Sequence, residues 1–135
     1  MPAKFTVSDA NKMLPLVRRI VSDVVRDYIR WQDKVREFEA AAANRTIDTP
    51  EGNADRLEKE AQALARDIDG YIAEITDLGV QIKGFDTGLV DFPGELDGRP
   101  VLLCWQLGEE RVEHWHEENE GFIGRQPLPQ SHRES

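Results

Sequence analysis

The sequence predicts an α+β protein in which a long antiparallel helical hairpin, similar to a coiled coil, precedes a small antiparallel β-meander of three or four strands. Two observations predict this fold. In the N-terminal part of the chain, apolar positions recur at alternating spacings of three and four, the periodicity of a helix with one apolar stripe. After Gly79 the period changes to two, and glycine-rich turns separate short apolar runs. At 135 residues the chain is expected to form a single domain over residues 1–125.

The first helix is predicted over residues 5–43. Thr6 and Asp9 form a capping-box pattern, in which the side chain of each residue bonds the backbone amide of the other. Pro15 lacks the amide hydrogen that bonds the carbonyl of Asn11, so a kink, or a short helix that restarts at Pro15, is expected there. The apolar seam of this helix consists of Leu14, Val17, Val21, Val24, Tyr28, Trp31, Val35, Phe38 and Ala42.

The second helix is predicted over residues 53–78, after a turn-rich loop at residues 46–53. Gly79 follows it in the position where a glycine often ends a helix. Two helices joined by a short loop pack antiparallel to each other. The second seam consists of Leu57, Ala61, Leu64, Ile68, Tyr71, Ile75 and Leu78.

Four apolar side chains lie beside these seams, at Ile20, Val25, Ile29 and Ile72. A two-helix hairpin buries too little apolar surface to be stable alone, so either the C-terminal unit or a second copy of the chain is expected to cover them. The sequence therefore favours a small cytoplasmic interaction protein that forms a homo-oligomer, most simply a dimer, through its hairpin.

The composition argues against other classes of protein. A formal net charge of −9 disfavours a dedicated binder of nucleic acid or anionic membranes, and no apolar run is long enough to span a membrane. The single cysteine excludes an intrachain disulfide. No signal-peptide pattern opens the sequence, so a cytoplasmic location is expected. Residues 126–135 are rich in proline and polar residues and are predicted to form a disordered tail.

Short apolar runs in residues 80–125 predict the strands of the meander and a closing segment. The Asp97-Gly98 dipeptide favours a tight hairpin turn between two of them. The run after this turn is continuously apolar, which is typical of a strand buried on both faces. The strands are predicted at residues 88–92, 101–107 and 112–116, with residues 80–83 as a candidate fourth.

Several motifs in this region match one known family. They are Gly88-Leu89-Val90-Asp91-Phe92-Pro93, Leu103-Cys104-Trp105, Gly108-Glu109, Trp115-His116-Glu117 and Gly121-Phe122-Ile123-Gly124-Arg125. Through them the chain resembles an uncharacterised bacterial family, domain of unknown function 2203, over nearly its whole length. The resemblance implies the same fold and no established activity, cofactor or catalytic residue. The signature residues that it implies are Asp91, Trp105, Glu109, Trp115, His116, Glu117 and Arg125, and His114 is not among them.

The histidines of the last predicted strand, His114 and His116, carry the sharpest chemical signal. Residues two apart on a strand face the same side with Cα atoms roughly 6.5 Å apart, so both imidazoles can reach one ion. A zinc or iron ion needs a further ligand, for which Glu117 and Asp91 are the first candidates. The alternative to an interaction protein is therefore a small metal-dependent enzyme or metal-binding protein, and whether the chain is an enzyme stays open.

The predicted strand register argues against this metal site. A four-residue second loop sets His114 opposite Trp105 and turns both histidines toward the apolar core. Closing the first hairpin with Phe92 opposite Val101 puts Asp91 on the other face. A slip of one residue in either hairpin reverses the result. The other interpretation is a pair of structural histidines, hydrogen-bonded to backbone or carboxylate.

Two further side chains have expected roles. Cys104 lies within the apolar strand and is predicted to be a buried thiol with a raised pKa, which packs and does not react. Arg125 is expected to pair with Glu109, Glu117 or Asp91 and so hold the closing segment against the sheet.

Overall fold

The computed structural model describes residues 4–44 and 52–133, and it confirms the predicted α+β fold. Two long helices pack side by side, and a five-stranded antiparallel sheet follows them. The turn-rich loop predicted at residues 46–53 lies largely outside the described residues. The elements are α1 (Val7–Ala43), α2 (Gly52–Asp77), β1 (Gln81–Gly84), β2 (Leu89–Leu96), β3 (Arg99–Gln106), β4 (His114–His116), a 3-10 turn (Phe122–Gly124), β5 (Gln126–Pro127) and α3 (Gln130–Arg133).

Helix α1 begins at the predicted capping box. The Thr6 hydroxyl accepts from the amide of Asp9 at 2.9 Å, and the Asp9 carboxylate accepts from the amide of Thr6 at 3.1 Å. The helix continues through Pro15, so the predicted alternative of a second helix start does not occur. One turn earlier, the side chain of Asn11 donates to the carbonyl of Val7 and accepts from the amide of Val112 at 2.8 Å. Asn11 thereby ties α1 to the β3–β4 loop.

The hairpin is covered unevenly along its length. At the sheet end, Val17, Ile20 and Val21 are buried in one core with the inner face of the sheet. Beyond the sheet, seam residues such as Tyr28 and Trp31 are only half-buried, because α2 and the ring of Phe85 cover only part of them. Among the described residues, no helix combines the length and the apolar character that a membrane crossing requires.

The four off-seam apolar residues divide between these two ends. Ile20 is buried and Val25 packs against the same core, so the sheet covers both. Ile29 remains 48% exposed, and Ile72 is half-buried. The C-terminal unit thus covers two of the four residues. For the other two, a second copy of the chain stays a prediction.

The β2–β3 hairpin turns at Asp97 and Gly98, whose φ angles of 53° and 81° are those of a tight two-residue turn. Phe92 therefore pairs with Leu103, and the predicted pairing with Val101 is wrong by two residues. A shift of two residues leaves every side chain on its predicted face. Asp91 thus points away from the helices, as predicted.

The β3–β4 connection is longer than predicted, and this changes the faces. Strand β4 pairs Cys104 with His114 and Leu102 with His116, one residue away from the predicted register. The cause is Val112, which is buried in the core and bonded through its amide to Asn11, so that it belongs to the loop and not to the strand. The predicted inward orientation of both histidines is therefore wrong: they lie on the outer face of the sheet, opposite the helices.

The predicted disorder of residues 126–135 is wrong for the part that the structure describes. Gln126–Pro127 form strand β5 against β4, and Gln130–Arg133 form a short helical turn. Leu128 explains this order, since it is 1% exposed and its amide donates to the carbonyl of Glu113 at 2.8 Å. One apolar anchor in a polar, proline-rich segment is enough to hold the segment on the sheet.

Candidate metal centre

Three adjacent strands each bring one metal-ligating side chain to the outer face of the sheet. Asp91 of β2 lies directly opposite Cys104 of β3, and His116 of β4 lies diagonally from Cys104, opposite Leu102. One carboxylate oxygen, the thiol sulfur and one imidazole nitrogen all lie within 4.8 Å of one another. We call these three residues the outer-face cluster.

The outer-face cluster is buried as completely as the apolar core. Asp91 and His116 are each 1% exposed and Cys104 is 0% exposed. Burial of ionisable groups is unfavourable unless each group has a hydrogen-bond partner or a compensating charge. The arrangement of partners around the three side chains therefore decides what the site can hold.

The ring of His116 is held in one orientation by two neighbours. Its Nδ1 lies 2.7 Å from the backbone carbonyl oxygen of Glu117, and because a carbonyl only accepts, Nδ1 carries the hydrogen. Its Nε2 lies 3.0 Å from Oδ1 of Asp91. Two lone pairs repel each other at this distance, so a proton or a cation lies between these atoms. Metal-binding histidines are oriented in the same way, with one ring nitrogen bonded to a backbone carbonyl.

Two basic side chains bring positive charge to the cluster. Lys83 Nζ lies 3.6 Å from Oδ2 of Asp91, and the Arg125 guanidinium donates to the carbonyl of Cys104 at 3.4 Å. Burial is the main reason that the pKa of the Cys104 thiol is raised to about 12; Asp91 acts in the same direction and Arg125 opposes it. As predicted, the metal-free thiol is protonated at neutral pH and is no nucleophile.

A second polar group lies beside the cluster, where Arg125 pairs with Glu109. The two terminal nitrogens of the guanidinium each donate to the carboxylate at 2.8 Å, which confirms one of the three partners predicted for Arg125. Burial alone raises the pKa of Glu109, but the hydrogen bonds from Arg125 and from the amide of Gln106 outweigh it and lower the pKa. The indole of Trp105 donates to the Glu109 carbonyl at 2.9 Å. These contacts close the β3–β4 loop onto the sheet.

The other two predicted metal ligands lie apart from the cluster. Nδ1 of His114 lies 3.7 Å from the carboxylate of Glu109. The carboxylate of Glu117 bonds the guanidinium of Arg99, which in turn lies over the ring of Trp115 at 5.4 Å from its centroid. The signature residue Trp115 thus belongs to the inner face and to a surface ion-pair contact, not to the cluster.

The structure therefore brings together two of the four predicted ligands, Asp91 and His116. It leaves His114 and Glu117 outside, and it adds Cys104, for which the sequence predicts only inert packing. The sequence contains a signal that could have found Cys104. If residues are paired outward from a two-residue turn at Asp97-Gly98, Asp91 falls opposite Cys104, as the structure shows.

The donor set restricts the ion that the cluster can hold. Sulfur, imidazole nitrogen and carboxylate oxygen together suit zinc or ferrous iron, whereas calcium and magnesium take oxygen ligands almost exclusively. Three protein ligands from three paired strands also leave a fourth tetrahedral position for a ligand that the cluster itself does not supply.

Comparison with known proteins gives a family and nothing more specific. Residues 4–128 match the model of a family described as "Uncharacterized conserved protein (DUF2203)". This span includes both helices and all five strands, so the resemblance predicted from the C-terminal motifs is confirmed over nearly the whole chain. No curated protein and no solved structure matches the chain at a significant level.

Proposed function

We propose, for a chain that belongs to the DUF2203 family of uncharacterised conserved proteins, that it is a metal-binding protein. Its site is the outer-face cluster of Asp91, Cys104 and His116, and its ion is divalent zinc or iron. The single observation that carries the proposal is the convergence of an oxygen, a sulfur and a nitrogen ligand within 4.8 Å, at full burial, from three different strands.

The charges of the cluster support a divalent ion. Metal coordination deprotonates a thiol outright, whatever its pKa in the metal-free protein. One carboxylate and one thiolate then balance the two positive charges of the ion, and His116 contributes a neutral nitrogen. The ion and its three ligands together then carry no net charge, which avoids the cost of an uncompensated charge away from water. The nearby ammonium of Lys83 belongs to a side chain that is partly exposed to solvent. The ion also takes the position between His116 Nε2 and Asp91 Oδ1 where the metal-free protein holds a proton.

Full burial favours a structural or regulatory ion over an openly catalytic one. A catalytic zinc keeps a position accessible to water or substrate, while a structural zinc is closed off and contributes to folding stability. The cluster has three ligands, as a catalytic zinc does, but all three are buried, so its fourth position does not lie on an open surface. An ion here cross-links β2, β3 and β4, and so fastens the strands on which the family signature lies. We therefore propose metal binding without a reaction.

The proposal is tested with protein purified without a histidine tag. Expected are one zinc ion per chain after dialysis against zinc, and a thiolate-to-metal absorption band in the near ultraviolet when cobalt replaces zinc. Cys104→Ser should abolish this band, and His116→Gln should weaken zinc binding by at least about 100-fold, more than loss of an outer-shell partner costs. Circular dichroism checks that the variants are folded.

His114→Gln is the matched control, because it removes an imidazole from the same strand and the same face. It should bind zinc with the affinity of the unchanged protein. Two outcomes overturn the proposal: folded, reduced protein that takes up no zinc or iron at micromolar ion concentrations, or an equal loss of affinity in the His114 and His116 variants.

Self-association through the hairpin, which the sequence favoured, stays a second candidate, as does the cytoplasmic location. The exposure of Ile29 on the part of α1 that the sheet does not cover supports it. Sedimentation analysis at micromolar concentration should then give a dimer that Ile29→Lys converts to a monomer. A monomer for both proteins removes this candidate without affecting the metal proposal.

A further inference from the structure

The packed helices α1 and α2 form a groove on each side of their contact, and the two grooves have different chemistry. On one side the lining is charged, with Arg30, Lys34, Glu60 and Asp67 around it, and Lys34 pairs with Glu60 at 3.0 Å. On the other side, α1, α2 and the β1–β2 turn line an open cavity of about 160 Å³. Its lining is aromatic and aliphatic apart from one carboxylate, and consists of Tyr28, Trp31, Ala65, Ile68, Asp69, Ile72 and Phe85.

Three aromatic rings form a continuous wall of this cavity. Tyr28 stacks on Trp31 with ring centroids 5.8 Å apart, and meets Phe85 at 5.7 Å with a tilt of 51° between the ring planes. Ring faces carry partial negative charge and attract a cation that lies within about 6 Å of the centroid. Phe85 is 37% exposed, so this wall is reached from solvent.

Asp69 adds a full negative charge to the same cavity. Within residues 4–44 and 52–133, no basic side chain forms an ion pair with it, in contrast to the paired carboxylate of Glu60 in the opposite groove. An aromatic wall beside a carboxylate that has no internal cation is complementary to a positively charged ligand.

We propose that this cavity binds the headgroup of a small quaternary ammonium compound. The methyl groups of such a cation fit the aliphatic lining at Ile68 and Ile72, its charge fits the rings and Asp69, and its weak hydration makes entry favourable. A primary ammonium is strongly hydrated and finds only one carboxylate here. The volume is below that of a site for a drug-sized ligand, and suits a headgroup.

The probes are choline and 3,3-dimethylbutan-1-ol, a neutral molecule of nearly the same shape. Binding is followed by saturation-transfer NMR on the ligand methyl protons and by the indole NH resonance of Trp31. Choline is expected to bind about two- to five-fold more tightly than the neutral probe, the effect of adding a cation–π contact at a site open to solvent. Equal binding of the two probes overturns the proposal, because the cavity then selects shape and not charge.

Two substitutions on the exposed face of α2 refine the test without disturbing the core. Asp69→Asn should weaken choline binding several-fold and leave the neutral probe unaffected. Asp67→Asn, the matched control, removes an equal charge from the opposite groove and should change neither. If both substitutions weaken choline binding equally, the preference for choline comes from the overall negative charge of the protein. That result overturns the proposed site.

Two further measurements exclude other occupants. Flotation with phosphatidylcholine vesicles should leave the protein unbound, and recruitment to vesicles without binding of free choline contradicts a small-molecule site. A dimer in which the Trp31 indole is protected, and to which choline does not bind, assigns the cavity to a second copy of the chain instead. Cys104→Ser should bind choline normally, so this inference and the metal proposal fail separately.

Discussion

On the inner face of the sheet, Phe92, Leu103 and Trp105 are fully buried against the helices, and on the outer face Asp91, Cys104 and His116 are buried to the same degree. The same strands supply both sets in alternation. Packing alone accounts for the inner face, whereas each polar group of the outer face needs a particular partner. Burial of apolar groups therefore explains the fold. Burial of the polar groups on the outer face marks a candidate binding site.

The largest expected effect on stability comes from a substitution on the inner face, and it should not depend on metal. Phe92→Ala removes a ring that meets Phe5 edge to face at 5.4 Å, and should lower the free energy of unfolding by about 3–5 kcal/mol. Urea unfolding followed by circular dichroism measures the loss. The loss should be the same in zinc and in chelator, provided that the variant stays folded. A loss below about 1 kcal/mol would contradict the assignment of Phe92 to the core.

The outer face should respond to metal where the inner face does not. With zinc at about 100 times its dissociation constant, the unchanged protein should gain about 2.7 kcal/mol of unfolding free energy by mass action. Cys104→Ser should gain far less, and His114→Gln should gain as much as the unchanged protein. Thermal unfolding with and without zinc measures this difference. An equal gain in the Cys104 variant would remove the thiol from the site.

The pair of Glu109 and Arg125 at the edge of the outer face gives a pH-dependent effect. Glu109→Gln leaves a largely buried guanidinium without its carboxylate, and should cost about 1–2 kcal/mol at pH 7. The pKa of Glu109 is lowered in the folded protein, so its contribution is present above the ordinary glutamate pKa and is lost as the pH falls through the lower, folded value.

Urea unfolding of both proteins across a pH series tests this sign. The difference between the unchanged protein and Glu109→Gln should shrink as the pH falls below about 4.5. A difference that grows over this acidic range would show that the carboxylate is not stabilised in the folded protein. His114, which lies 3.7 Å from the carboxylate, is replaced by glutamine in both proteins so that only the effect of Arg125 is measured.

The smallest effect is expected for Glu117, which the sequence made a candidate ligand. Its carboxylate pairs with Arg99 at the surface, and its backbone carbonyl accepts the hydrogen bond from His116, so substitution of the side chain preserves that bond. Glu117→Gln should change stability by less than about 0.5 kcal/mol and leave zinc affinity unchanged. A tenfold loss of affinity in calorimetric titration would return Glu117 to the site.

The helices were predictable because their information is local. The capping box at Thr6 and Asp9, the two seams and Gly79 all act within a few residues, and the helices begin and end close to the predicted positions. Pro15 shows the limit of such rules, since one continuous helix runs through it.

The face of the histidines was not predictable, because it depends on one long-range contact. Asn11 of α1 bonds the amide of Val112, draws it into the core and lengthens the loop, which shifts β4 by one residue. No pattern within the strand reports this contact. The β2–β3 pairing was within reach, since the Asp97-Gly98 turn places Asp91 opposite Cys104. The candidate site was thus half predicted, with Asp91 and His116 found and Cys104 missed.

The most direct test of the metal site is a crystal structure of zinc-loaded protein with anomalous data collected at the zinc absorption edge. We predict one strong anomalous peak per chain, about 2.3 Å from the sulfur of Cys104 and about 2.0–2.2 Å from Nε2 of His116 and a carboxylate oxygen of Asp91. A peak at His114 or Glu117 instead, or no peak between β2, β3 and β4 in zinc-saturated crystals, would contradict a metal site at the outer-face cluster.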